Sequence, residues 1–286
     1  MLLTAAAGCG AQVADRAESV SERIREAARA AGAQVGVALR TLDGNTEVLV
    51  NPDEPFHAAS TMKVPVLIAL FQARDAGRLS LDDTVLVRDR FASIVDGSPF
   101  TLSAADDSET TLYGARGTRR PIRELCEAMI VVSSNLATNI LIETVGIEQV
   151  RAAARALGAT GMDVKRGVED GLAFRAGLNN TTNARGLLAL FTALATGTAA
   201  SPASNAEMLA ILERQRFNEG IPRGVPAGTR VAHKTGQITS IHHDAGIVYA
   251  PRPYVLVVLV RGLDDEQRSG ALIATISRLA YEHTQK

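Results

Sequence analysis

The feature that most constrains this chain is the order in which its hydrophobic periodicity changes. Residues Gln34 to Leu42 and Thr46 to Val50 are apolar, β-branched runs joined by Asp43-Gly44-Asn45, the pattern of a strand hairpin. Helical spacing then takes over. It predicts helices from about Ser60 to Ala76, Ile122 to Ile130, Asn135 to Val145, Ile147 to Leu157, a Thr181/Thr182-capped helix to Ala195, and Asn205 to Phe217. From Thr229 the strand pattern returns at Arg230 to Gln237, His243 to Ala250 and Tyr254 to Arg261. A helix over Arg16 to Ala31, stopped by Gly32, precedes the first strand, and another from Asp264 to about Glu282 follows the last. Strands from both chain ends thus enclose a block of helices. The simplest fold is α/β (α+β): an antiparallel sheet flanked by N- and C-terminal helices, with an inserted all-helical lobe. Residues 16–59 and 218–286 are expected in the sheet lobe and 60–217 in the helical lobe, with 1–15 a residual leader or disordered N-terminus. A site built from both lobes belongs in the cleft between them.

Charge and composition exclude several classes of function. Thirty Lys+Arg balance 31 Asp+Glu, a formal charge of −1, which gives no footprint for nucleic acid. The longest apolar runs, Val64 to Phe71 and Tyr254 to Val260, fall well short of the ~20 residues of a membrane span. Two cysteines, Cys9 and Cys126, make no disulfide framework. The opening Met1 to Gly10 reads as the tail of an export signal, with Ala-Ala-Gly-Cys9 similar to a lipoprotein cleavage box; a frayed Ala-rich terminus is the alternative. The expectation is an exported monomer, lipid-anchored through Cys9 if that box is used, acting on a small molecule.

Three short stretches can carry chemistry. In Ser60-Thr61-Met62-Lys63 a hydroxyl and an amine share one turn at a helix start, so the amine can reach the hydroxyl; the bland alternative is a capping Ser beside a solvated Lys. Only four lysines occur, Lys63, Lys165, Lys234 and Lys286, with arginine elsewhere, which marks each as a place where a compact titratable amine is retained. Ser133-Ser134-Asn135 sets a hydroxyl and a carboxamide at a corner that opens a helix, although either serine also serves as an ordinary cap. Lys234-Thr235-Gly236 lies within a strand, where Gly lets a ligand approach the backbone and free N–H groups can pair with an extended substrate. The five histidines form no metal or triad motif, and adjacent His242 and His243 on a strand point to opposite faces. No phosphate-cradling motif occurs, so neither metal nor cofactor is expected.

Ser-x-x-Lys, a Ser-Asp-Asn-like corner and Lys-Thr-Gly, in this order, form a known set. The sequence resembles the class A serine β-lactamases and penicillin-binding proteins, from about Arg16 to the C-terminus. The likeness includes Asn51-Pro-Asp-Glu-Pro-Phe56, Arg123-Glu-Leu-Cys126 and Pro226-Ala-Gly-Thr-Arg230. It implies a β-lactamase/transpeptidase-like fold and a hydrolase opening β-lactam rings. Ser60 would be the acylated nucleophile, Lys63 its base or base partner, Ser133 a proton shuttle and Asn135 the holder of the substrate's amide. Lys234 and Thr235, with Gly236 beside them, would bind its carboxylate, and the N–H groups of Ser60 and Gln237 would form the oxyanion hole. Glu169, in Glu169-Asp170-Gly171-Leu172-Ala173, would activate the deacylating water, with Asp170 the second choice. Here the sequence departs from the family, because Ala173 stands where Asn is usual and Arg166 is one residue further from Glu169. Ser134 replaces an Asp, and Leu67 replaces the disulfide partner of Cys126, which should therefore be a buried free thiol. The acidic stretch between Arg88 and Pro121 reads as a longer loop than usual. A penicillin-binding-type D,D-peptidase or esterase, and a non-turnover β-lactam or peptidoglycan binder, remain alternatives.

Overall fold

The computed structural model describes residues 19–286; the leader assigned to 1–15, Cys9 and the start of the first helix lie outside them. Helix α1 covers residues 19–31 and is followed by β1 (Gln34–Thr41), β2 (Glu47–Val50) and β3 (Phe56–His57). A 3₁₀ turn, Ala59–Met62, leads into α2 (Lys63–Asp75), where Pro65 sits in the first turn and breaks no helical hydrogen bond. Next come β4 (Thr84–Leu86), β5 (Arg90–Ala92), β6 (Pro99–Thr101), α3 (Thr111–Gly114), β7 (Arg119–Pro121) and α4 (Ile122–Val131). Helices α5 (Asn135–Val145), α6 (Ile147–Ala156) and α7 (Gly171–Arg175), strand β8 (Thr181–Thr182), and helices α8 (Ala184–Ala195) and α9 (Pro202–Leu212) complete the middle. The chain ends with β9 (Val231–Ile238), β10 (Ile241–Val248), β11 (Tyr254–Arg261) and α10 (Glu266–Thr284).

The principal sheet has the order β2-β1-β11-β10-β9, each of its neighbouring pairs antiparallel. Strand β11 lies at its centre and alternates strictly between two apolar clusters. Tyr254, Leu256, Val258 and Val260 join Val20, Ile24, Ile273 and Ile276 beneath α1 and α10. Val255, Val257 and Leu259 face the opposite way, into a larger cluster with Leu67, Leu70, Leu141 and Leu187 of the helical region. Covering both faces explains why this strand is apolar at every position up to Val260. Helix α2 is buried on nearly all sides and forms the axis of the larger cluster.

Some boundaries differ from the sequence reading. Thr181 and Thr182 do not cap α8; they pair with β3, and Asn183 Oδ1 takes the capping hydrogen bond from Gly186 N–H. Helix α9 starts earlier, behind the Ser201 cap with Pro202 in its first turn, and stops at Leu212, before Phe217. The stretch from Arg88 to Pro121 is not an open loop: β5 and β6 form a hairpin, α3 follows, and β7 returns to β4. Cys126 is a buried free thiol.

Candidate active site

The cleft lies where the exposed edge of β9 meets the Ala59–Met62 turn, the corner at Ser133–Asn135 and the loop carrying Glu169. Contact is closest at Gly236: a Cβ there would lie 3.0 Å from Ser60 N and 3.1 Å from Thr61 N, so only glycine lets strand and turn meet this tightly. Three non-glycine residues with positive φ occur at these corners: Ala59 (44°), Ser133 (59°) and Glu169 (62°). Such conformations cost about 1–3 kcal/mol each and persist only where surrounding contacts fix them.

Lys63 is fully buried. Its Nζ donates to the Ser133 carbonyl at 2.6 Å, to Ser133 Oγ at 3.1 Å and to Asn135 Oδ1 at 2.9 Å. Burial brings its pKa down to about 7, opposed by the negative charges of Asp107 and Glu169. Lys234, also buried, donates to Ser133 Oγ at 3.0 Å and to the Thr235 carbonyl at 2.9 Å. Its pKa is held well below the usual range by burial and by the like charge of Lys63, against the pull of Asp244. The hydroxyl lying between the two amines is therefore that of Ser133. Because its oxygen accepts from both, its proton stays available for donation.

Asn135 Nδ2 donates to Glu169 Oε1 at 3.1 Å, so its amide bridges Lys63 and Glu169. Glu169 opens onto the cleft, and its pKa is raised by the protein packed around it and by the charge of Asp106. Asp170 is spent elsewhere. Its carboxylate, buried, accepts from Ser93 Oγ, Ile94 N–H and, as the α7 cap, Ala173 N–H, and so ties the Glu169 loop to the β5–β6 hairpin. Of these two acids, Glu169 is therefore the one whose carboxylate meets the Asn135 side chain.

Ser60, Ser133, Asn135, Glu169, Thr235, Gly236 and Gln237 line one polar cavity of about 580 Å³. A second of about 400 Å³ shares Ser60, Asn135, Glu169, Gln237 and Ile238 with it and continues along Phe174 and Arg175. Both volumes suit a small molecule. The structure thus brings together every site residue expected from the sequence.

Several residues support this site, among them His57 and Asn139, which sequence reasoning did not single out. His57 Nδ1 accepts from Ala59 N–H at 3.0 Å, while His243 Nε2 donates to the His57 carbonyl at 2.9 Å and its Nδ1 accepts from Val260 N–H at 3.2 Å. These bonds brace the turn carrying Ser60. His242 faces the other way, to Ser269, so the two histidines serve opposite faces of the sheet. Asn139 exchanges hydrogen bonds with both backbone groups of Val168 and docks the Glu169 loop on α5. Ser134 is the α5 cap, accepting from Ala137 N–H. No sequence motif marks Asp107 or Asn139, because their roles exist only across 28 or 29 residues of chain.

The sequence profile of the Beta-lactamase enzyme family matches residues 19–284, and the chain belongs to that family. It is 26% identical over 272 residues to the extended-spectrum β-lactamase PER-1 of Pseudomonas aeruginosa, covering 89% of this chain and 83% of that one. A β-lactamase from Sphaerobacter thermophilus superposes with a TM-score of 0.81 at 30% identity, covering 93% of this chain and 97% of the other. PBP-A superposes with a TM-score of 0.80 at 28% identity, covering 94% and 95%, and a variant of it has been solved as an acyl-enzyme complex with penicillin G.

Proposed function

We propose that this protein is a class A-like serine β-lactamase. The observation that carries the reading is the convergence of the Lys63 and Lys234 amines on the Ser133 hydroxyl, which lines one cavity with Ser60. With a pKa near 7, Lys63 is partly unprotonated at neutral pH and can take the proton of the Ser60 hydroxyl as its Oγ attacks the lactam carbonyl. The N–H groups of Ser60 and Gln237 receive the developing oxyanion, a contribution of about 3 kcal/mol per donor. As the ring C–N bond breaks, Ser133 gives its proton to the leaving nitrogen, and Lys63 at 3.1 Å replaces it. Lys234 and Thr235 hold the substrate carboxylate, and Asn135 its side-chain amide. Glu169 then takes a proton from water, whose oxygen attacks the acyl ester; as the ester C–O bond breaks, that proton passes on to Ser60 Oγ, which frees the serine and restores the Glu169 carboxylate. Export is part of the reading, resting on Ala-Ala-Gly-Cys9.

One observation favours a second reading, a D,D-peptidase or a binder that stays acylated. Ala173, fully buried, offers no side-chain amide to orient the deacylating water. A chromogenic cephalosporin assay with intact-mass spectrometry separates these. Rapid colour with free enzyme recovered, abolished in Ser60→Ala, is expected. A lasting adduct supports the binder, and cleavage of D-Ala-D-Ala peptides without β-lactam turnover supports the peptidase. Full hydrolysis by Ser60→Ala would overturn the mechanism.

A further inference from the structure

The corner at Ser133–Asn135 needs something to hold it. Ser133 has φ +59°, the next residue caps α5, and the first N–H groups of that 11-residue helix have no partner within it. The Asp107 carboxylate fills this position from the segment between β6 and α3. It accepts from Asn135 N–H at 3.0 Å on both oxygens, and its Oδ2 accepts from Leu136 N–H at 2.9 Å and Ser134 Oγ at 3.3 Å. Tyr113 O–H donates to Oδ2 at 3.1 Å, and Glu109 N–H to Oδ1 at 3.1 Å. Asp107 itself is only 9% exposed. A buried carboxylate so placed satisfies the orphan donors and favours the positive end of the helix dipole.

We infer that Asp107 is a positioning residue for the reaction: it fixes the Ser133–Asn135 corner and supplies a fixed negative charge to the buried Lys63. The effect on turnover rests on the β-lactamase reading; the effect on Lys63 does not. The Ser133 carbonyl, Ser133 Oγ and Asn135 Oδ1 receive all three protons of Lys63, so any drift of this corner disorders the base and the shuttle together. The charges facing Lys63 are Asp107 and Glu169, with Lys234 opposing them. Those near Asp107 include Tyr113 and Glu169. Ser134 Oγ lies beside Oδ2, so an aspartate at 134 would compete for the space that Asp107 fills.

The test uses Asp107→Asn, Ser134→Asp and the double variant. With only four lysines in the chain, ¹³Cε labelling gives few resonances, and Lys63 is assigned by its loss in Lys63→Arg. Asp107→Asn should lower the Lys63 titration midpoint by roughly one pH unit. It should also cut kcat/KM for a cephalosporin about 100-fold, mostly in the acylation step. Ser134→Asp alone should lower the melting temperature by crowding two carboxylates, whereas the double variant should recover midpoint, rate and melting temperature together. An unshifted Lys63 midpoint in Asp107→Asn overturns the inference, whether or not the protein turns over β-lactams. Should Asp107→Asn fail to fold, Ser134→Asp decides: wild-type stability and activity in that variant would equally overturn it.

Discussion

Acidification acts on His243 in a way that can be worked out in advance. Its Nδ1 accepts from Val260 N–H and its Nε2 donates to the His57 carbonyl, so the folded protein needs the neutral ring. Burial pushes its pKa from the ordinary 6.5 down to about 4. Between those values the unfolded chain binds a proton that the folded chain refuses. Stability from this residue is therefore complete above pH 6.5 and is lost as pH falls. At 1.36 kcal/mol per unit the whole span is worth about 3 kcal/mol, of which about 2 kcal/mol has gone by pH 5. His57 and His242, also lowered by burial, slope the same way, whereas Glu143 and Glu169, raised, slope against it. The comparison must therefore be with a His243→Gln variant. The chain has no tryptophan, so urea unfolding is followed by far-ultraviolet circular dichroism at pH 7.5 and pH 5. His243→Gln should be weaker at pH 7.5 but lose about 2 kcal/mol less than the wild type on acidification. Parallel losses in the two proteins would refute the reasoning.

Gly236→Ala places a methyl 3.0 Å from Ser60 N and 3.1 Å from Thr61 N, against the backbone of the turn, and should slow single-turnover acylation at least about tenfold while the protein stays folded. Unchanged acylation would mean that strand and turn can part freely. Cys126, with its thiol pushed up to about 12 by burial, should resist alkylation at pH 8 until the protein is unfolded, as read by peptide mapping; prompt labelling of the native protein would contradict the packing.

Much of this was legible in the sequence because it is local or repetitive. The unbroken apolar run of β11 and the helical spacing of α5 are written directly in their residues. The three short stretches bearing Ser60, Ser133 and Lys234 were legible because each keeps its own chemistry. What stayed hidden depends on pairings across the fold. Asp107 sits in Asp106-Asp107-Ser108-Glu109, where nothing local separates the one buried at α5 from the exposed Asp106. Thr181 and Thr182 are good helix caps by type, yet pairing with Phe56 and His57 claims them for a strand. Which hydroxyl lies between the two amines could not be read either, since the direction of Lys63 is set by acceptors 70 and 72 residues away.

The middle strand of the main sheet is also the last one made. Until the ribosome has released β11, β1 and β10 have no neighbour between them, and the two apolar layers that meet on its faces cannot close. The helical region can gather early, but the strand edge along the cleft takes its place only once β11 has been made. Truncating the chain just before Tyr254 should therefore leave a collapsed helical body with no working pocket.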